Sequence, residues 1–251
     1  MRLAVHRSGS GPRAAVLIHG MMSDHRAWHR VAAELQGDGY RVIAVDLAGH
    51  GASPRSRRYS PRRWAADVVE TLEAELDGPP ELLMGHSLGA LVASLVAERF
   101  APRVAIYVDP AFAFPRGVRG VALKAMFTVS PRPGAWVLRR LNPGWTTADV
   151  ELEVATLRVW DKRTILGFVN TRPLVPPLKL VAPSLVILAE RSLLISRAVA
   201  ESLRQSGMTV TTIAGSGHTV FRDDHAGFMH LVRGWVTRHT SLPVGHTLPV
   251  G

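Results

Sequence analysis

The chain has 251 residues, 47% hydrophobic and 20% charged, with a formal net charge of +10. That length suits one sizeable core, as a single large domain or a domain with an insertion. The absence of cysteine excludes disulfides, thiolate metal sites and a cysteine nucleophile. The opening MRLAVHRSGSGPRA reaches Gly, Pro and Arg before any apolar run, and no later stretch is apolar enough to span a bilayer. The expectation is a cytoplasmic protein without membrane insertion.

In chain order, Ala14 to His19 reads as a buried strand, Asp24 to Leu35 as a helix and Tyr40 to Asp46 as the next strand. A helix follows from Pro61, a residue suited to a first turn, to Leu76, and Gly78-Pro79-Pro80 stops it. Then come a strand at Glu81–His86, a helix at Leu88–Arg99 and a strand at Val104–Asp109, which Pro110 ends. Between residues 112 and 182 the rhythm turns helical and proline-broken. It resumes with a strand at Ser184–Ala189, a helix near Ser196–Gln205, a strand at Thr209–Ile213 and a helix from Asp224 to Arg238. The α/β class with a mainly parallel, doubly wound sheet follows. The expected division is a core of 1–111 and 183–238, a helical cap of 112–182 and a flexible tail of 239–251.

The chemistry-bearing motif is Gly85-His86-Ser87-Leu88-Gly89, between a clean strand and a clean helix. A serine hydroxyl is a weak nucleophile and needs an exposed, strained turn and a base within reach. The flanking glycines supply the turn, because neighbouring backbone must approach closely there. After the first strong strand, His19-Gly20-Met21-Met22 lies where backbone N–H groups can meet a developing oxyanion, with Met21 and Leu88 as donors. Met21 reads equally as pocket lining, Met22 and His86 as substrate-binding neighbours, and His19 as structural. His218, in Gly215-Ser216-Gly217-His218 between the last strand and last helix, is the expected general base.

VLIHGMM, YRVIAVDLAGHGAS, MGHSLGA, PSLVILAE and GSGHTVFRDD stand in the order and spacing of the α/β-hydrolase superfamily, which the chain resembles over nearly its whole length apart from the tail. The resemblance implies the α/β-hydrolase fold, a Ser-His-acid triad, and loop-fixing roles for Asp46, His50 and Gly51. Asp24 and Trp28 read as pocket border or as helix cap and core packing.

The acid departs from the family pattern. Where relatives carry aspartate after the strand following the cap, this chain reads Ala189-Glu190-Arg191-Ser192, and serine cannot orient an imidazole through charge. Asp109, ending the strand before the cap, is preferred over Glu190; a dyad or a silent homologue stays open. Asp223 and Asp224 are read as starting the last helix.

The 112–182 segment carries a net charge of +7, which fits a solvated face, or an acidic substrate, a CoA thioester or an acyl carrier protein. Phe112, Phe114, Met126, Phe127, Trp136, Leu141, Trp145, Leu157, Trp160 and Phe168 divide between cap core and an apolar acyl pocket. No cofactor, metal or nucleic-acid motif is present. The reading is a serine hydrolase of a small ester, thioester or lactone, through an acyl-enzyme. The alternatives are a non-hydrolytic acyltransferase, cyclase or eliminase, or a silent acyl-binding protein.

Overall fold

A computed structural model of the chain describes residues 1–113, 125, 132–169 and 180–240. Strands β1 (Val5–Ser8), β2 (Arg13–Ile18), β3 (Tyr40–Val45), β4 (Leu82–His86), β5 (Val104–Val108), β6 (Ser184–Ala189) and β7 (Thr209–Ile213) form one sheet, ordered β1-β3-β2-β4-β5-β6-β7. Only β1 runs antiparallel, with Val5 opposite Val45. The others are parallel, as the alternation of strand and helix requires.

The helices are α1 (His29–Gly37), entered through a 3-10 turn at His25–Trp28, α2 (Pro61–Leu72), α3 (Leu88–Phe100), α4 (Ala135–Leu141), α5 (Thr147–Val159), α6 (Arg163–Val169), α7 (Arg197–Gln205), α8 (Val220–Asp223) and α9 (His225–Thr240). Pro61 does open α2, with the Ser60 hydroxyl accepting from Arg63 N–H. The helix stops at Leu72, short of the expected Leu76, and the chain continues in turns.

Alternation along the strands sends side chains to two cores. Val16, Ile18, Ile43, Val45 and Leu83 pack with Trp64, Val68, Leu91, Val96 and Leu203 on one face. Leu17, Val42, Met84, Ile106 and Val108 meet Trp28, Val31, Leu35, Phe228 and Val232 on the other. Burying each such aliphatic side chain stabilises the fold by about 1.5–3 kcal/mol. Strands covered on both faces read as continuous apolar runs, which is why the central ones were legible.

Helices α4, α5 and α6 lie between β5 and β6 in the chain. A capping box between Thr146 and Asp149 starts α5. Near the start of α6, Tyr59 Oη donates to Asp161 Oδ2 (2.9 Å) and Asp161 N–H to Gly49 O (2.7 Å). Phe112, Leu157 and Trp160 are buried, and Trp145 and Phe168 are half-buried. Trp136 and Leu141 are instead 75% and 70% exposed, on the outward side of α4, whose Leu138 is the buried residue, so among the described residues neither belongs to a cap core. Phe114, Met126, Phe127 and residues 241–251 of the tail lie outside the described residues.

Candidate active site

At the end of β4 the chain turns into α3 through Ser87, whose φ of 54° and ψ of −117° are adopted by few non-glycine residues. Such a conformation costs about 1–3 kcal/mol and persists only where the surroundings enforce it. Here Ser87 N–H donates to Val108 O (2.9 Å), and Ala111 N–H donates to Ser87 O (3.0 Å). The glycines are required: a Cβ on Gly85 would overlap the backbone of Gly89, and one on Gly89 would overlap the carbonyls of Ile18 and His19.

The loop after β2 passes directly beside this turn. A Cβ on Gly20 would stand 3.2 Å from Ser87 Cβ and 3.0 Å from His86 Nδ1. Met21 is half-buried, with its sulfur 3.3 Å from the Thr164 hydroxyl, and Met22 has a φ of 66°. Leu88 is the first residue of α3, so its N–H has no acceptor within the helix. Both nitrogens of His19 are occupied: Nε2 accepts from Leu47 N–H (2.9 Å) and Nδ1 donates to Gly20 O (2.7 Å). Burial lowers its pKa, so a neutral ring ties the ends of β2 and β3.

His218 Nδ1 lies 2.6 Å from Asp109 Oδ2. Asp109 is fully buried, its other oxygen accepts Ala189 N–H (3.3 Å), and its N–H donates to Ile187 O (2.8 Å). A φ of 35° turns it sharply out of β5 before Pro110. With Nδ1–H given to the carboxylate, His218 keeps Nε2 as an acceptor. Its backbone carbonyl accepts from His86 Nε2 (2.9 Å), and the two rings lie 4.6 Å apart, His86 being the residue that precedes Ser87. Burial and the neighbouring His218 hold the His86 pKa well below its ordinary value, which suits a neutral donor.

Neither Glu190 nor Ser192 hydrogen-bonds to His218. Glu190 Oε2 accepts Gly215 N–H (2.9 Å), while Ser192 Oγ accepts Leu194 and Ile195 N–H and closes a turn. Asp224 Oδ1 accepts Gly227 N–H (2.9 Å) at the start of α9, as read from sequence. Asp223 does not start that helix: it ends α8, and its carboxylate accepts Gly217 N–H (2.8 Å) and Trp145 Nε1–H (2.9 Å). Nothing local in the sequence marks that tie, because Trp145 is distant along the chain.

Asp46 is buried at the end of β3. Oδ1 accepts from the N–H and ring of His25 (2.8 and 2.9 Å), and Oδ2 accepts from Ala52 N–H (2.9 Å) and His6 Nε2 (3.1 Å). Burial opposes its ionisation, but these hydrogen bonds, that of His25 foremost, hold its carboxyl well below the usual carboxylate range. A Cβ on Gly51 would overlap that carboxylate. Burial pushes His50 down to about 3, with Nδ1 bonded to Ala48 O. Asp24 caps the 3-10 turn through Arg26 N–H, and Trp28 stacks on Phe221 at 4.5 Å, so both serve packing and capping. The donor atoms of His6, His25 and Asp46 lie within 4.8 Å of one another, but the rings stack with planes 9° apart. Parallel rings aim their lone pairs side by side rather than at one ion, and hydrogen bonds account for the cluster. A surface groove of about 640 Å³ along α9, lined by Glu34, His225, Met229 and Arg233, contains none of the expected site residues. Among the described residues no helix is long and apolar enough to cross a membrane.

Comparison with known proteins returns the same architecture. A "Probable esterase PIR7A" of Oryza sativa subsp. indica is 34% identical over 107 residues, 42% of this chain and 41% of that protein. "Lipase LipV" of Mycobacterium tuberculosis is 36% identical over 114 residues, 44% and 42% of the two chains. The matched stretch thus spans about two-fifths of these curated relatives. The solved esterase EaEST from Exiguobacterium antarcticum is 18% identical with a TM-score of 0.79, covering 94% of this chain and 95% of its own, a likeness of fold. The model of the alpha/beta hydrolase family matches residues 15–231. With that match spanning most of its length, the chain belongs to the alpha/beta hydrolase family.

Proposed function

We propose that this protein is an esterase-like serine hydrolase acting on small acyl esters, thioesters or lactones, with Ser87, His218 and Asp109 as its triad. One observation carries the reading: the 2.6 Å contact of His218 Nδ1 with Asp109, on a loop held by the residue preceding the strained Ser87. Relatives named esterase and lipase support ester hydrolysis in particular.

In this mechanism His218 Nε2 takes the Ser87 hydroxyl proton as Oγ attacks the acyl carbon. Met21 and Leu88 N–H groups receive the oxyanion, and Asp109 stabilises the imidazolium without taking its proton. His218 then protonates the departing alcohol or thiol, leaving an acyl-enzyme. Water attacks that intermediate, giving its proton to His218, which returns one to Ser87 as the acid departs. The 112–182 segment is assigned as the cap, and the contact of Thr164 with Met21 supports placing α6 beside the oxyanion loop. Exposed Arg139, Arg140 and Lys162 support a preference for negatively charged acyl groups, including CoA or carrier-protein thioesters.

A fluorophosphonate probe tests the core of this reading. Wild type is expected to label stoichiometrically and Ser87→Ala not at all; folded wild type that resists the probe overturns the assignment. For the charge preference, kcat/KM toward an anionic acyl ester is expected to fall with added salt while that of a neutral ester holds.

A further inference from the structure

We infer that the stretch carrying Trp145 and α5 sets the position of His218, with Asp223 and Trp145 as the positioning residues. The inference rests on the reading of His218 as the base. It begins with one carboxylate shared between two parts of the molecule. Asp223 Oδ2 accepts Gly217 N–H at 2.8 Å, one residue before His218, and Oδ1 accepts the indole N–H of Trp145 at 2.9 Å. Trp145 precedes α5, so the link joins that segment to the histidine loop through two hydrogen bonds to one charged group, the stronger kind.

The surroundings give the link stiffness. Arg222, adjacent to Asp223, is 2% exposed, and its guanidinium lies 4.7 Å from the Trp145 ring centre. It pairs with Glu153 of α5 at 2.7 Å and faces the fully buried Asp149 of the same helix at 3.7 Å. Arg222 Nε and one terminal nitrogen, like Asp149 Oδ1, have no hydrogen-bond partner. A buried ion pair so incompletely bonded returns little stability for the desolvation it costs, and its recognised use is to fix one register. Here the register is that of α5 against α8, the turn that directly follows His218. A displacement of that segment therefore moves Asp223, and with it Gly217, while Asp109 and His86 hold the opposite side of the loop.

The test uses the full chain with Trp145→Phe, which keeps a ring beneath Arg222 and deletes the N–H, and Asp223→Asn, whose single carbonyl cannot serve both donors. Kcat for ester hydrolysis is expected to fall about 10-fold in the first and about 100-fold in the second, since misplacement by about 1 Å costs up to that order, with KM little changed. The double variant is expected to match Asp223→Asn rather than multiply the losses. The proton shared by His218 Nδ1 and Asp109 gives a downfield NMR signal, expected to shift or broaden in both variants, and it is also read in a Ser87→Ala background that needs no turnover. Lowered thermal stability with kcat and this signal unchanged overturns the inference, as does a double variant with multiplied losses. A wild type inert to fluorophosphonate refutes the hydrolase reading separately, because the NMR comparison stands without activity. If Asp223→Asn fails to fold, the Trp145→Phe arm decides.

Discussion

Asp109 leaves β5 with a positive φ and offers one oxygen to Ala189 N–H and the other to His218. A buried carboxylate with both oxygens engaged is a rigid partner for an imidazole. Asp109→Asn is expected to lower kcat by about four orders of magnitude, because the amide selects the wrong histidine tautomer. Glu190→Gln and Ser192→Ala should change it by less than about tenfold, since one carboxylate holds a backbone N–H and the serine only closes a turn. Kinetics on the three variants check the ranking, and a larger loss at Glu190 would move the acid to the β6 side. Gly20→Ala should also lower kcat, because a Cβ there presses on Ser87 and His86.

Secondary-structure elements were legible wherever an apolar run or a capping residue declared them. The central strands and the Ser60–Pro61 start of α2 are examples. β1 was not, because Val-His-Arg-Ser has no apolar run and only its pairing with β3 makes it a strand. The end of α3 offers a test of local conformation against sequence. Its C-cap is Ala101, left-handed at φ 43° and ψ 63°, where glycine is favoured. Ala101→Gly should raise stability by about 0.5–1 kcal/mol, the αL strain outweighing the entropy glycine adds to the unfolded chain. Urea unfolding measures it, and a lower midpoint would show that the strain is already relieved.

Across the molecule, three buried histidines make stability depend on pH. His19, His50 and His86 are held neutral by burial, with His50 down to about 3. The unfolded chain binds protons on these rings below about pH 6.5, whereas the native rings refuse them. Their contribution is complete above that pH and is lost progressively as pH falls below it, for His50 down toward about 3, by up to about 1.4 kcal/mol per pH unit for each ring. Asp46, also depressed, acts in the same direction at lower pH. Denaturant midpoints at about pH 7 and about pH 5 should show wild type losing stability and His50→Gln losing less; equal losses would remove His50 from the account.

The alternating runs and the Gly85–Gly89 motif determined the α/β class, the parallel sheet and the serine turn, since each depends on residues close in the chain. Only the tertiary structure decided which carboxylate meets His218 and what holds its loop. Asp109, His86, Asp223 and Trp145 converge there from β5, β4, α8 and the segment before α5. Their distances are set by strand order and helix packing, which no local pattern encodes.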